Sequence, residues 1–287
     1  MSIRPPAVAG SWYSGSAEGL RSEIKECFLS KHGPGKLPKA IEKGQRKIVA
    51  LVCPHAGYMY SGPIATHAYY TLALDGKPDL FVILGPNHTG MGSGVSIMVR
   101  GAWRTPLGTV PIDNELAAMI QHAAKILDID DSAHLYEHSI ELQLPFLQYV
   151  YGGTFKFVPI CMMIQDLETS REIGQAIGKV VAGKNVVVIA SSDMTHGNMP
   201  PILTHEEVKK RDEKALAEIL KMDEAKLQAA VEKYNVTMCG FGPVVAALTA
   251  AKVLKAKKAQ LLSYKTTGDI TGDRYGVVGY ASIAITK

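Results

Sequence analysis

The sequence predicts one α/β domain over residues 1–287, with a mostly parallel central sheet flanked by helices. Three apolar runs, at residues 47–53, 79–84 and 185–190, show no polar alternation, which is typical of strands buried on both faces. Strand and helix patterns alternate along the chain, and no shift in composition marks a linker. The 47% hydrophobic and 20% charged residues are ordinary for a globular protein, so disorder is not expected.

Helices are predicted where apolar residues recur at helical spacing next to a capping or breaking residue. Asp113 is a predicted N-cap, and Thr204 with Glu207 forms a capping-box pattern. Pro145 is expected to kink its helix or to mark the first turn. The predicted helices cover residues 17–30, 64–74, 113–127, 137–150, 169–182, 204–220, 223–234 and 244–254.

The remaining strands are predicted from shorter extended patterns. They cover residues 95–100, 110–112, 155–160, 260–264 and 276–285. Residues 1–16 are predicted to be a loop because Arg4-Pro5-Pro6 cannot start a regular element. Gly268-Asp269-Ile270-Thr271-Gly272-Asp273 has the wrong spacing for a calcium-binding EF-hand, so we expect a tight turn capped by side chains.

Composition excludes several classes of function. The net charge of +4 is mild, and its densest basic run, residues 252–258, lacks interleaved aromatic residues, so no nucleic-acid partner is expected. No apolar run is long enough to cross a bilayer, and no secretory pattern opens the chain. Four scattered cysteines without a CxxC pair predict free thiols and a cytoplasmic protein. The oligomeric state is left open.

Histidines follow all three buried strands. His55 lies in Pro54-His55-Ala56-Gly57, His88 ends Gly85-Pro86-Asn87-His88, and His196 comes three residues after Asp193. A single histidine beside a strand is more often structural than functional. Three at equivalent strand ends converge on one edge of a parallel sheet, where ligands bind in such folds. Imidazole serves as a metal ligand or as a general base, and both roles stay open.

Cys239 is a further candidate. It lies between Met238 and Gly240, just before a predicted helix, whose N-terminal dipole favours the thiolate that binds metals. A small buried thiol is an equally weighted alternative. Cys53 and Cys161 are expected to be structural, and Cys27, in the first predicted helix, carries no functional signal.

A rival constellation consists of His134, His138 and Glu141, which would share one face of a helix. Such spacing resembles helical zinc sites, although HExxH is absent. Asp130-Asp131-Ser132 suggests that the helix begins later. We therefore prefer Glu137-His138-Ser139 as support that orients a ligand or a proton.

Eight stretches of the chain resemble the Memo family (mediator of ErbB2-driven cell motility), in order from residue 4 to the last strand. They are Arg4-Pro5-Pro6-Ala7-Val8-Ala9-Gly10-Ser11-Trp12-Tyr13, Pro54-His55-Ala56-Gly57-Tyr58, Gly85-Pro86-Asn87-His88, Thr105-Pro106-Leu107-Gly108, Glu137-His138-Ser139-Ile140-Glu141, Ser192-Asp193-Met194-Thr195-His196, Met238-Cys239-Gly240 and Gly268-Asp269-Ile270-Thr271-Gly272-Asp273. So many ordered motifs make chance a poor explanation.

The resemblance implies a fold similar to that of class III extradiol (LigB-type) dioxygenases, in which two histidines and a carboxylate hold Fe(II). By motif, His55 and His88 match the two histidine ligands, and Cys239 occupies the place of the carboxylate. His196 with Asp193 matches the position of an acid–base pair. His138 is taken as a further residue that acts on protons or orients a ligand.

The resemblance therefore implies a metal site that holds iron or copper, with zinc as a further option because a thiolate is softer than a carboxylate. A metal-dependent oxidoreductase acting on a small aromatic substrate is the first hypothesis. Animal Memo proteins are associated with copper or iron and with phosphotyrosine peptides, so the alternative is a non-catalytic module that captures a metal or a phosphopeptide. A zinc hydrolase with His196 as base ranks lower. A serine hydrolase on Ser191 or Ser192 stays open without a GxSxG elbow to support it.

Overall fold

The structure, a computed structural model, describes residues 2–287. Its strands are β1 (Ile3–Arg4), β2 (Ile48–Cys53), β3 (Leu80–Pro86), β4 (Val95–Ile97), β5 (Ala102–Thr105), β6 (Gly108–Pro111), β7 (Asp128–Ile129), β8 (Lys156–Met162), β9 (Val186–Ser191), β10 (Lys258–Thr266) and β11 (Gly279–Thr286). Its α-helices are α1 (Ala17–Leu29), α2 (Tyr58–Leu74), α3 (Asn114–Ala123), α4 (Leu144–Tyr151), α5 (Leu167–Val181), α6 (His205–Leu220), α7 (Glu224–Tyr234), α8 (Phe241–Val253) and α9 (Thr267–Thr271).

Eight strands form the main sheet in the order β10-β11-β2-β9-β3-β8-β4-β7. The central strands β2, β9, β3 and β8 run parallel, whereas β11 is antiparallel to both of its neighbours. The predicted α/β class with a mostly parallel sheet is confirmed. The three predicted buried strands are β2, β9 and β3, which are adjacent, so the loops that follow them emerge side by side at one edge.

Helices cover the sheet because its central strands have no polar face. Every residue of β2 and β9 is buried. Helix α8 packs on β2, β3 and β9 and is backed by α5, while α2 packs on β2, β10 and β11 and is backed by α1. No helix within residues 2–287 is both long and apolar enough to cross a membrane.

The helix predicted over residues 137–150 is wrong in its first half. Residues 135–140 are irregular, a single 3-10 turn covers Glu141–Gln143, and α4 begins only at Leu144. Pro145 lies in the first turn of α4, where its missing N–H has no partner to lose. The carbonyls of His134 and Glu137 accept hydrogen bonds from the Arg4 guanidinium instead of from a helix.

The predicted caps are confirmed. Asp113 accepts the Leu116 N–H at the start of α3, and Thr204 with Glu207 forms the capping box of α6. The 268–273 stretch is a tight turn built on the short helix α9, which Thr266 and Asp269 cap. Helix α2 begins at Tyr58, earlier than predicted, with Pro63 inside it.

Strand β11 also reaches the functional edge. The carbonyl of Gly279 accepts the Met194 N–H, and the N–H of Gly279 donates to the Thr195 carbonyl. Because Met194 and Thr195 belong to the loop after β9, the final strand holds that loop in place.

Candidate metal centre

Two neighbouring loops are locked together where β2 and β9 end. The N–H of Ser192 donates to the Cys53 carbonyl at 2.9 Å. The N–H of His55 donates to Asp193 Oδ1 at 2.8 Å. Both His55 and Asp193 are buried, so the position of His55 is set by backbone pairing and not by its side chain alone.

His55, His88 and Cys239 form one cluster. One potential ligand atom from each residue lies within 4.8 Å of the others. His55 Nε2 is 3.2 Å from Cys239 Sγ, and the centroids of the two imidazole rings are 5.2 Å apart. The three residues come from separate loops more than 30 positions apart in sequence. The structure thus brings the three predicted metal ligands together.

A buried hydrogen-bond network sets the ring orientation of His55. Its Nδ1 lies 2.8 Å from Ser191 Oγ, whose hydroxyl proton is donated to the Ser139 carbonyl at 2.7 Å. Gln143 Nε2 also donates a hydrogen bond to Ser191 Oγ. Because the serine proton is already committed, Ser191 accepts from His55 Nδ1, which leaves the Nε2 lone pair directed at Cys239.

Glu137 sets the ring orientation of His88. Its Oε1 lies 3.0 Å from His88 Nδ1 and also accepts the Ser139 N–H, while its Oε2 accepts the His88 N–H. Burial alone would raise the pKa of Glu137. The hydrogen bond from His88 and the nearby imidazoles outweigh burial and lower that pKa to about 2. The carboxylate therefore stays ionised and keeps the Nδ1 proton on His88, with Nε2 free.

Cys239 lies directly before α8. Its Sγ accepts the Asp193 N–H at 3.3 Å. Burial, followed by the negative charge of Asp193, raises the pKa of Cys239 well above its ordinary value. The thiolate expected from the helix dipole is therefore not favoured by the protein alone, and a cation at the cluster is what would stabilise it.

Thr237 holds both the backbone and the ring of His196. The ring Nδ1 lies 3.0 Å from the Thr237 carbonyl, which can only accept, so Nδ1 carries the proton. The N–H of His196 donates to Thr237 Oγ1. Burial raises the pKa of Asp193 to about 6, against the lowering effect of His196. The hydrogen bond of the Asp193 carboxylate goes to the backbone of His55, and so ties the two loops.

His138 packs against the cluster. Its ring stacks on His88 with centroids 4.5 Å apart, and Trp12 lies 4.3 Å from it. Burial lowers the pKa of His138 to about 4. Sequence reasoning gave Trp12 no role at this site, although it lies in the first of the motifs.

The rival constellation is wrong, because its members are separated. His134 is fully buried against Trp103 and has no hydrogen-bond partner on its ring within residues 2–287. Glu141 pairs with Arg4 and accepts from the Tyr13 hydroxyl. It also accepts the N–H groups of Ala7 and Val8. Glu141 thus fastens the N-terminal segment to the loop that carries Glu137 and His138.

A cavity of about 840 Å³ opens in front of the cluster. His55, His88 and His196 reach its wall, which places all three strand-end histidines around one space. The wall also contains aromatic and acidic side chains, namely Trp12, Tyr60, Tyr280, Glu23, Asp193 and Asp273.

A family model described as Memo-like protein matches residues 4–284. Similar curated proteins cover the whole chain. A MEMO1 family protein of Methanopyrus kandleri is 49% identical over 99% of both chains. Another, from Methanothermobacter thermautotrophicus, is 46% identical over 98% of this chain and 100% of its own.

Among solved structures, an uncharacterized protein of Escherichia coli K12 shares the fold. Its TM-score is 0.58 at 12% identity, and the match covers 83% of this chain and 99% of that one. At that identity the likeness shows the architecture alone.

Proposed function

This chain belongs to the Memo-like protein family, and we propose that it binds iron or copper through Nε2 of His55, Nε2 of His88 and Sγ of Cys239. The observation that carries the proposal is the convergence of these ligand atoms within 4.8 Å. It is supported by the hydrogen bonds of the two imidazoles: in each ring Nδ1 is bonded to a protein oxygen, which leaves Nε2 available for a metal. Histidine ligands in metal sites are oriented in this way.

The donor set fits a transition metal. Imidazole suits iron, copper and zinc, and a thiolate favours copper and zinc. When bound, iron or copper would supply one-electron redox chemistry, which zinc cannot. Four free cysteines accord with a reducing cytoplasm, where Cys239 would stay available.

We further propose an oxidoreductase that acts on a small aromatic substrate with dioxygen as the oxidant, on an architecture of the LigB type. The cavity admits a molecule of that size. His196 holds its Nδ1 proton on the Thr237 carbonyl, so its Nε2 is the group that accepts or returns a substrate proton. Asp193 holds the loop of His196 to that of His55, and His138 fixes the face of His88.

Metal analysis tests the proposal. The protein is purified without chelators, its metal content is measured, and Fe(II), Cu(I) and Zn²⁺ are titrated under anaerobic conditions. We expect about one ion per chain, with affinity reduced at least about 100-fold in His88→Ala and Cys239→Ser, because loss of a residue that only orients a ligand already costs about 10- to 100-fold. Cys27→Ser and His122→Ala, which change a thiol and an imidazole away from the cluster, serve as matched controls. Equal affinity in ligand and control variants would overturn the site.

Oxygen uptake tests turnover separately. Sustained consumption with a catechol in the presence of Fe(II) or copper, absent in His196→Ala at unchanged metal content, supports an oxidoreductase. Tight metal binding without any oxygen consumption would instead support the alternative, a non-catalytic protein that captures a metal.

A further inference from the structure

We propose that the cavity recognises an aromatic amine, with the ring directed toward the His–His–Cys cluster and the positive ammonium attracted to the acidic side chains of the wall, Glu23 and Asp273 among them. The placement of the ring rests on the proposed metal site. The preference for a cation does not, because it follows from the charge of the cavity wall.

The wall has the opposite charge to the rest of the protein. The chain carries 31 Lys and Arg against 27 Asp and Glu. The described residues that line the cavity nevertheless include Glu23, Asp193 and Asp273 and no lysine or arginine. With this excess of basic residues elsewhere, a wall that holds only acidic charges produces a local field that attracts cations.

The protein does not neutralise these carboxylates. Within residues 2–287, none of the three lies within ion-pair distance of a basic side chain. By contrast, nearby Asp269 is 2.8 Å from Lys209 Nζ. Oε2 of Glu23 accepts a hydrogen bond from the Ser14 N–H, and Oδ2 of Asp273 accepts one from the Thr271 hydroxyl. Each keeps its other oxygen for a ligand.

Aromatic surfaces complete the site. Trp12 lines the cavity with 38% of its surface exposed, and the half-buried Tyr60 lines it as well, whereas Tyr280 lies in the wall but is only 2% exposed. Exposed aromatic faces pack against planar rings and attract organic cations. An aromatic amine satisfies both the aromatic and the acidic parts of this wall.

The same wall disfavours a phosphopeptide, the partner suggested by the resemblance. Phosphate recognition in proteins relies on arginine or lysine side chains, and three carboxylates would repel a phosphate group instead. An anionic ligand is therefore a discriminating probe.

Three probes of similar size but different charge test the inference on metal-free protein at low ionic strength: 2-phenylethylamine, 3-phenylpropionate and phenyl phosphate. We expect the amine to bind at least about tenfold more tightly than either anion, with the ratio falling as salt is added. In the double variant Glu23→Gln with Asp273→Asn, the ratio should fall to about threefold or less. Glu18→Gln with Asp128→Asn, two exposed acidic residues outside the cavity wall, should keep it.

Equal binding of the amine and an anion, or a ratio that the double variant leaves unchanged, would overturn the inference. Because these titrations contain no metal, they are independent of the metal-binding proposal. A protein that binds no metal can still prefer the amine, and a metal-binding protein can fail to prefer it.

Discussion

Glu137 and His88 are joined by two hydrogen bonds through one carboxylate. Oε2 accepts the backbone N–H of His88, and Oε1 lies 3.0 Å from the ring Nδ1. This arrangement fixes both the place of the residue and the direction of its ring. Without the carboxylate, the side chain of His88, which is 32% exposed, would keep only its stacking against His138 to orient the ring.

Glu137→Gln should therefore weaken metal binding without removing a direct ligand. An amide is a weaker acceptor than a carboxylate for the two N–H groups of His88. We therefore expect metal affinity to fall about 10- to 100-fold, which is the usual effect of removing a residue that orients a ligand. Competition for Zn²⁺ against a chromophoric chelator measures it. Glu172→Gln, on the exposed face of α5, is the control. An affinity within about twofold of the parent protein would show that Glu137 has no such role.

Gly240→Ala should disturb the cluster through the backbone. A Cβ at residue 240 would clash with the carbonyl oxygen of Ser191, the last residue of β9. We expect about 1–3 kcal/mol lower unfolding free energy from the forced shift, together with weaker metal binding because Cys239 moves from His55. Urea unfolding and metal titration measure the two effects. Gly153→Ala, where a Cβ meets nothing within 4 Å, should change neither.

Arg4→Met should destabilise the protein strongly. It leaves the buried Glu141 carboxylate without its ion pair, and the carbonyls of His134 and Glu137 lose their donor. Loss of one partner of a buried pair lowers the unfolding free energy by about 3–5 kcal/mol. Urea unfolding of this variant is compared with Arg21→Met, on the exposed face of α1. If both variants unfold at the same urea concentration, the Arg4 pair contributes no stability.

The burial of Asp212 leads us to expect that the unfolding free energy depends on pH. Asp212 is buried, accepts the Thr195 N–H and the Tyr264 hydroxyl, and burial raises its pKa to about 6. Against an unfolded value of about 3.9, the native state holds the proton more tightly, so the unfolding free energy falls as the pH rises from about 4 to about 6.

Asp212→Asn should remove that fall. Relative to the parent protein, the variant should gain about 2–3 kcal/mol between pH 4 and pH 7, since one pKa unit corresponds to about 1.4 kcal/mol. Urea unfolding at three pH values measures the difference, with Asp128→Asn as the exposed control. Parallel pH profiles for parent and Asp212→Asn would contradict the assignment.

The site was partly predictable because its ligands follow strands. His55, His88 and His196 each lie just after an apolar run, and the carboxyl ends of parallel strands meet at one edge. The resemblance then selected Cys239. The pairing of Arg4 with Glu141 had no local signal, because the two residues are 137 positions apart and their contact depends on the complete fold.

Two features of the chain depend on physical effects that the sequence does not reveal. A helix through His138 was expected from residue spacing, but the Arg4 guanidinium takes the carbonyls that the helix would use. At Cys239 the sequence leaves a thiolate and a buried thiol equally weighted, and burial, which raises its pKa, depends on the folded surroundings. The start of this helix and the pKa of Cys239 both depend on groups that are distant in sequence and close in the fold.

The position of β11 has a consequence for biosynthesis. This strand comes after all of the other described elements in the sequence, yet it lies between β10 and β2, and its Gly279 holds the loop of Met194 and Thr195. A growing polypeptide on the ribosome would therefore carry His55, His88 and Cys239 before the loop of Asp193 and His196 has its support. If the proposed metal site is correct, we expect stable capture of an ion only after β11 has paired with this loop.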